Sequence, residues 1–186
     1  MDFLHKSILV EEICRGLEWQ TTDCLVDFTV GGGGHLEALL QRYSRPQSIV
    51  AFDQDLDALK ASKARLQTFE PIQWTHSNFR RAAQILKTES VSRCLADLGV
   101  SSYQLDDARR GFSFQKEGPL DLRMDQSAGA PASEWLMHCA ESELAQVIRD
   151  FGEEPRAKVY ARRWMEARRS VKGEISTSPF VELLGH

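Results

Sequence analysis

The sequence predicts an α/β fold built on a parallel sheet. Three observations carry that reading. Short apolar runs alternate with amphipathic segments over residues 24–98, the pattern of βαβ units. Four consecutive glycines, Gly31–Gly34, separate the first apolar run from the first helical one. From residue 132 onward the pattern becomes entirely helical.

In chain order, residues 7–19 place Ile8, Leu9, Ile13 and Leu17 at helical spacing. Residues 24–30, CLVDFTV, form a short apolar run read as a buried strand, and 35–43 a helix. Residues 48–53, SIVAFD, are a second buried strand. A helix with an acidic first turn is expected over 55–69, a third strand over 72–76, a third helix over 80–87 and a fourth strand over 93–98. Right-handed crossovers make this a doubly wound, Rossmann-like sheet, with ligands at the carboxyl ends of its strands. Residues 99–131 show no clear periodicity and are rich in Asp, Arg, Gly and Phe. Helices are expected over 132–140, 141–152 and 155–169, and a short one opening at Ser178-Pro179. The division is set at residues 1–127 for the sheet portion and 128–186 for a helical subdomain.

Composition excludes little. The chain has 186 residues, is 42% apolar and 27% charged, and carries a net charge of −4, so no global basic field announces nucleic acid; a local patch would suffice. Cys14, Cys24, Cys94 and Cys139 lack metal or redox spacing and read as reduced, mostly buried thiols. The first residues carry acids and no long apolar core, unlike a signal peptide, and no segment reaches transmembrane length. The cytoplasm is the expected compartment, with no membrane partner.

A glycine-rich strand–helix turn lets backbone approach a ligand, or lets a tight turn pack closely. Asp53 closes the second strand, nineteen positions after Gly34. A carboxylate there suits ribose hydroxyls; it also suits capping of the helix that follows. Asp27, at the end of the first strand, would repel a pyrophosphate but hold a cationic amine. Together they point to a nucleoside with a cationic tail, such as S-adenosyl-L-methionine, over a dinucleotide. Phe79 is placed to stack on adenine or to join the core.

The stretches DFTVGGGGH, FDQD, SNF and above all DLGVSSYQLDDARRGFSFQKEGPLDLRMD (97–125), with SEW (133–135) and FGEE (151–154), resemble the RsmH/MraW family. These are bacterial methyltransferases of the small-subunit 16S ribosomal RNA. The resemblance covers essentially the whole chain and is weakest at its C-terminal tail. It implies S-adenosylmethionine-dependent methylation of the exocyclic N4 amine of a decoding-region cytidine. It implies cofactor contacts at Gly33, Gly34, His35, Asp53, Phe79, Asp97 and Gln104, beside the Asp27 read from the residues. His35 has a plainer alternative, a first-turn residue with its ring in solvent. The family usually has Pro where this chain has Tyr103. It also continues with further strands, so a strand four left as an edge is expected here.

For the chemistry, hydrogen-bond acceptors beside the amine help restore its nucleophilicity. Asp97, helped by Ser101 or Ser102, is the expected acceptor; loop capping is the other role open to the serines. RNA contacts are expected at Arg109 and Arg110, in a loop whose Phe112 and Phe114 either stack on bases or pack the loop. Further contacts are expected along a stripe of Lys158, Arg162 and Arg169, opposite Tyr160, Ala161 and Trp164; a plain solvated face is the alternative. Asp106, Asp107, Asp121 and Asp125 read as salt links to Arg109, Arg110 and Arg123 and as caps, with no metal site. A homodimer is one assembly the sequence leaves open. A truncated, catalytically inactive fragment or paralogue that binds RNA or a partner protein is the alternative to an enzyme. A nicotinamide-dependent dehydrogenase is disfavoured by Asp27 and the 97–125 block.

Overall fold

A computed structural model describes residues 7–173, 175–178 and 181–182. Two compact units divide between Ser101 and Ser102.

In the first unit, α1 (Val10–Gly16) precedes β1 (Cys24–Asp27), α2 (Gly34–Arg42), β2 (Ser48–Asp53), α3 (Leu56–Arg65), β3 (Gln73–His76), α4 (Ala82–Ile85) and β4 (Arg93–Leu95). The four strands are all parallel, in the order β3-β2-β1-β4. In register, Asp27 stands beside Ala51 on β2 and Leu95 on β4, and Asp53 beside His76 on β3. The carboxyl ends of the strands therefore share one edge. β2 coincides with its expected span. β1 is shorter than expected, although the run beyond it still follows the sheet: Phe28 N–H donates to Leu95 and Val30 N–H to Phe52, both at 2.9 Å.

Alternate residues of β1 and β2 face opposite sides, which explains their unbroken apolar runs. Leu25, Ile49 and Ala51 pack with Leu36, Leu39, Leu59 and Leu66 of the helices. Val26, Val50 and Phe52 form the opposite core with Phe28, Ala82 and Leu86. Each such side chain contributes roughly 1.5–3 kcal/mol on burial. β3 and β4 are more exposed than β1 and β2: as edges they are covered on fewer sides, and Cys94 is exposed. Among the described residues β4 pairs only with β1. Of the four free cysteines, only Cys14 and Cys139 are buried.

The helices are also shorter than their apolar periodicity. α3 gives way to a 3-10 turn at Gln67–Phe69, and Phe79–Arg81 is a 3-10 turn before the single turn of α4. Asp55 caps α3, accepting from the Asp57 N–H at 3.0 Å. α1 starts after Leu9, whose φ of 52° is left-handed and which supplies no side-chain cap.

The second unit holds α5 (Ser102–Asp106), a 3-10 turn at Ala108–Arg110, α6 (Ala132–His138), α7 (Glu141–Gly152) and α8 (Ala157–Ala167). The boundary expected near residue 127 falls earlier because the irregular segment is stitched to the helices. Leu120 N–H donates to Ile175 and Thr177 N–H to Gly118, both at 2.9 Å, around an antiparallel bridge of Pro119 with Ser176. Leu120 then shares a core with Leu136, Leu144, Ala161 and Trp164. Trp164 donates its indole N–H to the Leu136 carbonyl at 2.9 Å. The short helix expected from Ser178-Pro179 lies partly outside the described residues.

Backbone contact, not ligand, dictates one glycine here. A Cβ at Gly118 would lie 1.9 Å from the Ala108 carbonyl oxygen. Gly118→Ala is expected to destabilise the chain by about 2 kcal/mol or more. Gly152→Ala, with nothing within 4 Å, is expected to be neutral or stabilising by up to about 1 kcal/mol. Urea unfolding midpoints of the two variants measure the contrast.

Candidate active site at the carboxyl edge of the sheet

The site begins where β1 ends. Asp27 is 2% exposed, and its Oδ1 accepts from the Thr29 N–H at 3.0 Å. Burial pushes its carboxyl up to about 7. The Thr29 N–H opposes that rise, and the charges of Asp53 and Asp97 add to it. Asp53 is also raised by burial, against the N–H groups that it accepts. Its Oδ2 takes the Gly31 N–H and its Oδ1 the Asp55 N–H, each at 2.8 Å. Asp53 therefore holds the glycine turn against the end of β2, while capping of α3 falls to Asp55. The Gln54 N–H is a third backbone donor to Asp53; since a carboxylate offers about four lone-pair positions, room for a ligand hydroxyl remains.

The glycines divide by purpose. Gly31 has φ of 52°, and a Cβ there would meet only the Thr29 carbonyl oxygen, at 3.9 Å. Its side of the turn is open. Gly33 has φ of 80° and is backed by Ser62 of α3 and by Leu66 just after it; a Cβ at Gly34 would run into the Ser7 hydroxyl. Those two glycines admit the chain's own packing. α2 starts on Gly33 with no side-chain cap.

Asp97 lies just beyond β4. Its N–H donates to the Thr29 hydroxyl at 2.7 Å, and its carboxylate is 47% exposed, 3.9 Å from His35 Nδ1. Thr29 thus ties Asp97 to the turn that holds Asp27. Sequence reasoning passed over it; the signal was a threonine two positions after an aspartate, the spacing of an Asx turn. His35 does not have its ring in solvent: it is 9% exposed, with Nε2 2.8 Å from the Ile8 carbonyl oxygen. Phe79 ends a row of rings, 6.2 Å from Phe28, itself 5.7 Å from Phe52. It stays 39% exposed, so its outer face is free for stacking. The first unit thus holds Asp27, Asp53, Phe79 and Asp97 on strand ends and the turns beyond them, with His35 in the first turn of α2. Ser101 closes that unit. Ser102 and the buried Gln104 belong to α5 of the second.

Of the four acids read as salt links or caps, Asp107 and Asp121 meet the expected arginines, and Asp125 accepts the Ser127 N–H at 2.9 Å. Arg109 holds Asp107 through Nε and Nη2, and Arg123 holds Asp121 in the same way, the closest contacts being 2.7 Å. Asp106 pairs with Lys116 at 3.1 Å. Arg110 is corrected: at 2% exposure it is no RNA contact. Its Nη2 donates to the carbonyls of Arg123 and Met124 at 3.0 and 2.9 Å, holding the loop from inside. Phe112 is half-buried, whereas Phe114 is 72% exposed. Lys158, Arg162 and Arg169 are exposed, opposite buried Ala161 and Trp164. Tyr160 is only half-buried, flanked by the guanidiniums of Arg156 and Arg163. Lys158 and Arg162 line a groove of about 800 Å³ between α7 and α8 with Gln146 and Arg149. Arg149 lay outside the predicted stripe because it comes from the other helix.

An all-parallel sheet with a glycine turn after β1 and an acid closing β2 defines a Rossmann-like class of α/β fold. Within it, the chain belongs to the MraW methylase family, whose model matches residues 2–185. It is 37% identical over 187 residues to ribosomal RNA small subunit methyltransferase H of Clostridium botulinum (strain 657 / Type Ba4), covering 99% of this chain and 60% of that protein. The protein of the same name from Syntrophotalea carbinolica is 41% identical over 186 residues, covering 98% of this chain and 59% of its own length. The one from Nitrosomonas eutropha is 42% identical over 152 residues, covering 81% and 48%. The chain thus spans at most about 60% of the length of these relatives. No described helix is long and apolar enough to cross a membrane.

Asp27 makes stability depend on pH. Its carboxyl ionises near 3.8 when unfolded and about 7 when folded. Between those values the folded chain holds the extra proton, so stability falls as pH rises from about 4 to about 7. Asp107 and Asp121 are lowered by their arginines, and their contribution is lost only below that window. Asp27→Asn is therefore expected to remove on the order of 2 kcal/mol of the wild-type loss between pH 5 and 7.5. Urea unfolding at the two pH values checks this, and an unchanged slope would remove Asp27 from the explanation.

Proposed function

We infer that this chain carries the cofactor site of an S-adenosyl-L-methionine-dependent methyltransferase. Its substrate is 16S ribosomal RNA of the small subunit, and its target the N4 amine of a cytidine. The reaction takes place in the cytoplasm. The observation that carries the reading is the set of Asp27, Asp53 and Asp97 on one sheet edge with no lysine or arginine beside them among the described residues. A buried carboxylate without a cation disfavours its own ionisation, and a ligand that brings positive charge relieves that penalty. A sulfonium nucleoside with an ammonium tail has the required charge, and family membership narrows the choice to it. A dinucleotide phosphate would add repulsion.

The residues fit the roles that this reading gives them. The remaining lone pair of Asp53 accepts a ribose hydroxyl. The open face of Gly31 admits the ligand, and Phe79 offers a ring face to adenine. Asp27 holds the positive end in a dry environment, where Coulomb attraction exceeds its value in water. Bound S-adenosylmethionine supplies an electrophilic methyl group. The Asp97 carboxylate accepts an N–H of the cytosine amine and turns its lone pair outward, with Ser101 as a further acceptor, and Gly33–His35 complete the cofactor contacts of the first unit. Positioning of this kind supplies much of the rate of a bimolecular displacement. RNA phosphates dock on Lys158, Arg162 and Arg169, joined by Arg149 across the α7–α8 groove, and on Arg109 after exchange with Asp107.

Calorimetric titration with S-adenosylmethionine tests the cofactor reading. Micromolar binding is expected, weakened tenfold or more in Asp53→Ala. A folded chain that does not bind would favour a non-catalytic RNA- or protein-binding role. For the RNA face, Lys158→Ala is expected to lower the slope of log affinity against log salt for a 16S fragment by about 1. An unchanged slope would return that helix face to ordinary solvent exposure.

A further inference from the structure

Beyond β3 the sheet edge carries charge of the opposite sign to its carboxylates. Residues 71–88 hold His76, Arg80, Arg81 and Lys87 and no aspartate or glutamate, in a chain of net charge −4. Arg80, Arg81 and Lys87 are exposed. The other arginines of the first unit are held. Arg15, Arg42, Arg65 and Arg93 each reach a carboxylate, and Arg45 donates to the carbonyls of Phe69 and Pro71. Among the described residues the Arg80 guanidinium meets no acid, and Arg81 meets only the Gln84 amide oxygen, at 3.5 Å. Two adjacent guanidiniums without an acid raise the local potential and favour an anion that brings charge to both.

The backbone that carries them is fixed. Asn78 Oδ1 accepts the Arg80 N–H at 2.9 Å and the Asn78 carbonyl the Arg81 N–H at 3.0 Å. Asn78 Nδ2 donates to Gln54 Oε1 at 2.8 Å, and the Ser77 N–H to the Asp53 carbonyl at 3.0 Å. The turn is thus tied to the end of β2. Ala82 and Leu86 pack α4 against Val26, Val50 and Phe52, which leaves Arg80, Gln84 and Lys87 in solvent. A single carboxylate needs one guanidinium fork. Here the cations extend from the 3-10 turn past the end of α4, the arrangement that suits a repeating anion.

We propose that Arg80 and Arg81, with Lys87 beyond them, bind neighbouring backbone phosphates of a single-stranded RNA segment. The proposal rests on the methyltransferase reading, which supplies an RNA substrate, and it gives that RNA an anchor on the unit that carries Asp27, Asp53 and Asp97. Phosphate contacts of this kind position a strand and do not read its sequence.

Fluorescence anisotropy of the full chain with labelled twelve-nucleotide oligocytidine and oligouridine RNA, over a range of salt, tests it. Both side chains are exposed, so the variants are expected to fold. Each phosphate contact on a single strand contributes about 0.7 to the slope of log affinity against log salt. The slope is expected to fall by about 1.4 in the double variant Arg80→Gln/Arg81→Gln, equally for both oligonucleotides, with affinity down tenfold or more at low salt. Arg80→Lys/Arg81→Lys is expected to keep the slope, because it keeps the charge. Arg15→Gln, which removes a cation already shared with Glu12, is expected to leave it unchanged. S-adenosylmethionine affinity, measured by calorimetry, is expected to stay within about threefold of wild type in every variant.

An unchanged slope in the glutamine pair returns these arginines to solvent and overturns the proposal. A slope lost equally in the lysine pair assigns the change to altered local structure and also overturns it. A tenfold loss of S-adenosylmethionine affinity with the RNA slope intact assigns the arginines to the cofactor's carboxylate and overturns the RNA contact. A wild-type chain that binds S-adenosylmethionine but neither oligonucleotide overturns the proposal and leaves the cofactor reading standing. A folded wild-type chain that binds neither cofactor nor RNA overturns both.

Discussion

Three carboxylates share the carboxyl edge of a four-stranded sheet, and the protein gives them backbone N–H groups and a histidine but no lysine or arginine among the described residues. Much of the first unit's loop geometry follows from that constraint. The glycine turn is drawn to Asp53 by the Gly31 N–H, Thr29 links Asp27 to Asp97, and His35 is turned by Ile8 to face Asp97. Elsewhere acids meet cations, as Asp107 meets Arg109 and Asp121 meets Arg123. Unneutralised charge is concentrated where the strands end.

Such an arrangement opposes folding, because Asp27 is buried deeply enough to hold its proton to about pH 7. The sheet tolerates it through the cores on its two faces: Leu25, Ile49 and Ala51 on one side, Val26, Val50 and Phe52 on the other. Strain or charge kept at a functional edge and offset by packing elsewhere is a common division of labour in proteins. The second unit uses a buried cation for a different end. Arg110 holds the loop around Met124 by its carbonyls, so a charge that looks like an RNA contact in sequence is an internal brace.

Periodicity and residue type made β2, the glycine turn and the placement of Asp53 legible, because apolar alternation and strand–helix punctuation are local signals. Tertiary facts were not legible. Edge position decides that β3 and β4 are half-exposed, and a run of apolar letters does not encode it. The early division at Ser101 depends on the pairing of Pro119 with Ser176, residues far apart in the chain. The reason for Gly33 is Ser62 and Leu66, and for Gly34 it is Ser7; the glycine run alone left ligand approach and close packing open. Arg109 and Arg110 are neighbours with the same composition signal, yet one is exposed and one buried. Thr29 joined the site through two hydrogen bonds that no single-residue preference predicts.

The central claim is that the sheet edge holds carboxylates which a cationic ligand ionises. Counting protons tests it most directly. Calorimetry of S-adenosylmethionine binding at pH 6.5, repeated in two buffers of different ionisation enthalpy, gives the number exchanged per ligand. Net proton release is expected in the wild type, diminished in Asp27→Asn, with affinity rising as pH increases through about 7. Binding with no proton exchange and no pH dependence would contradict the claim.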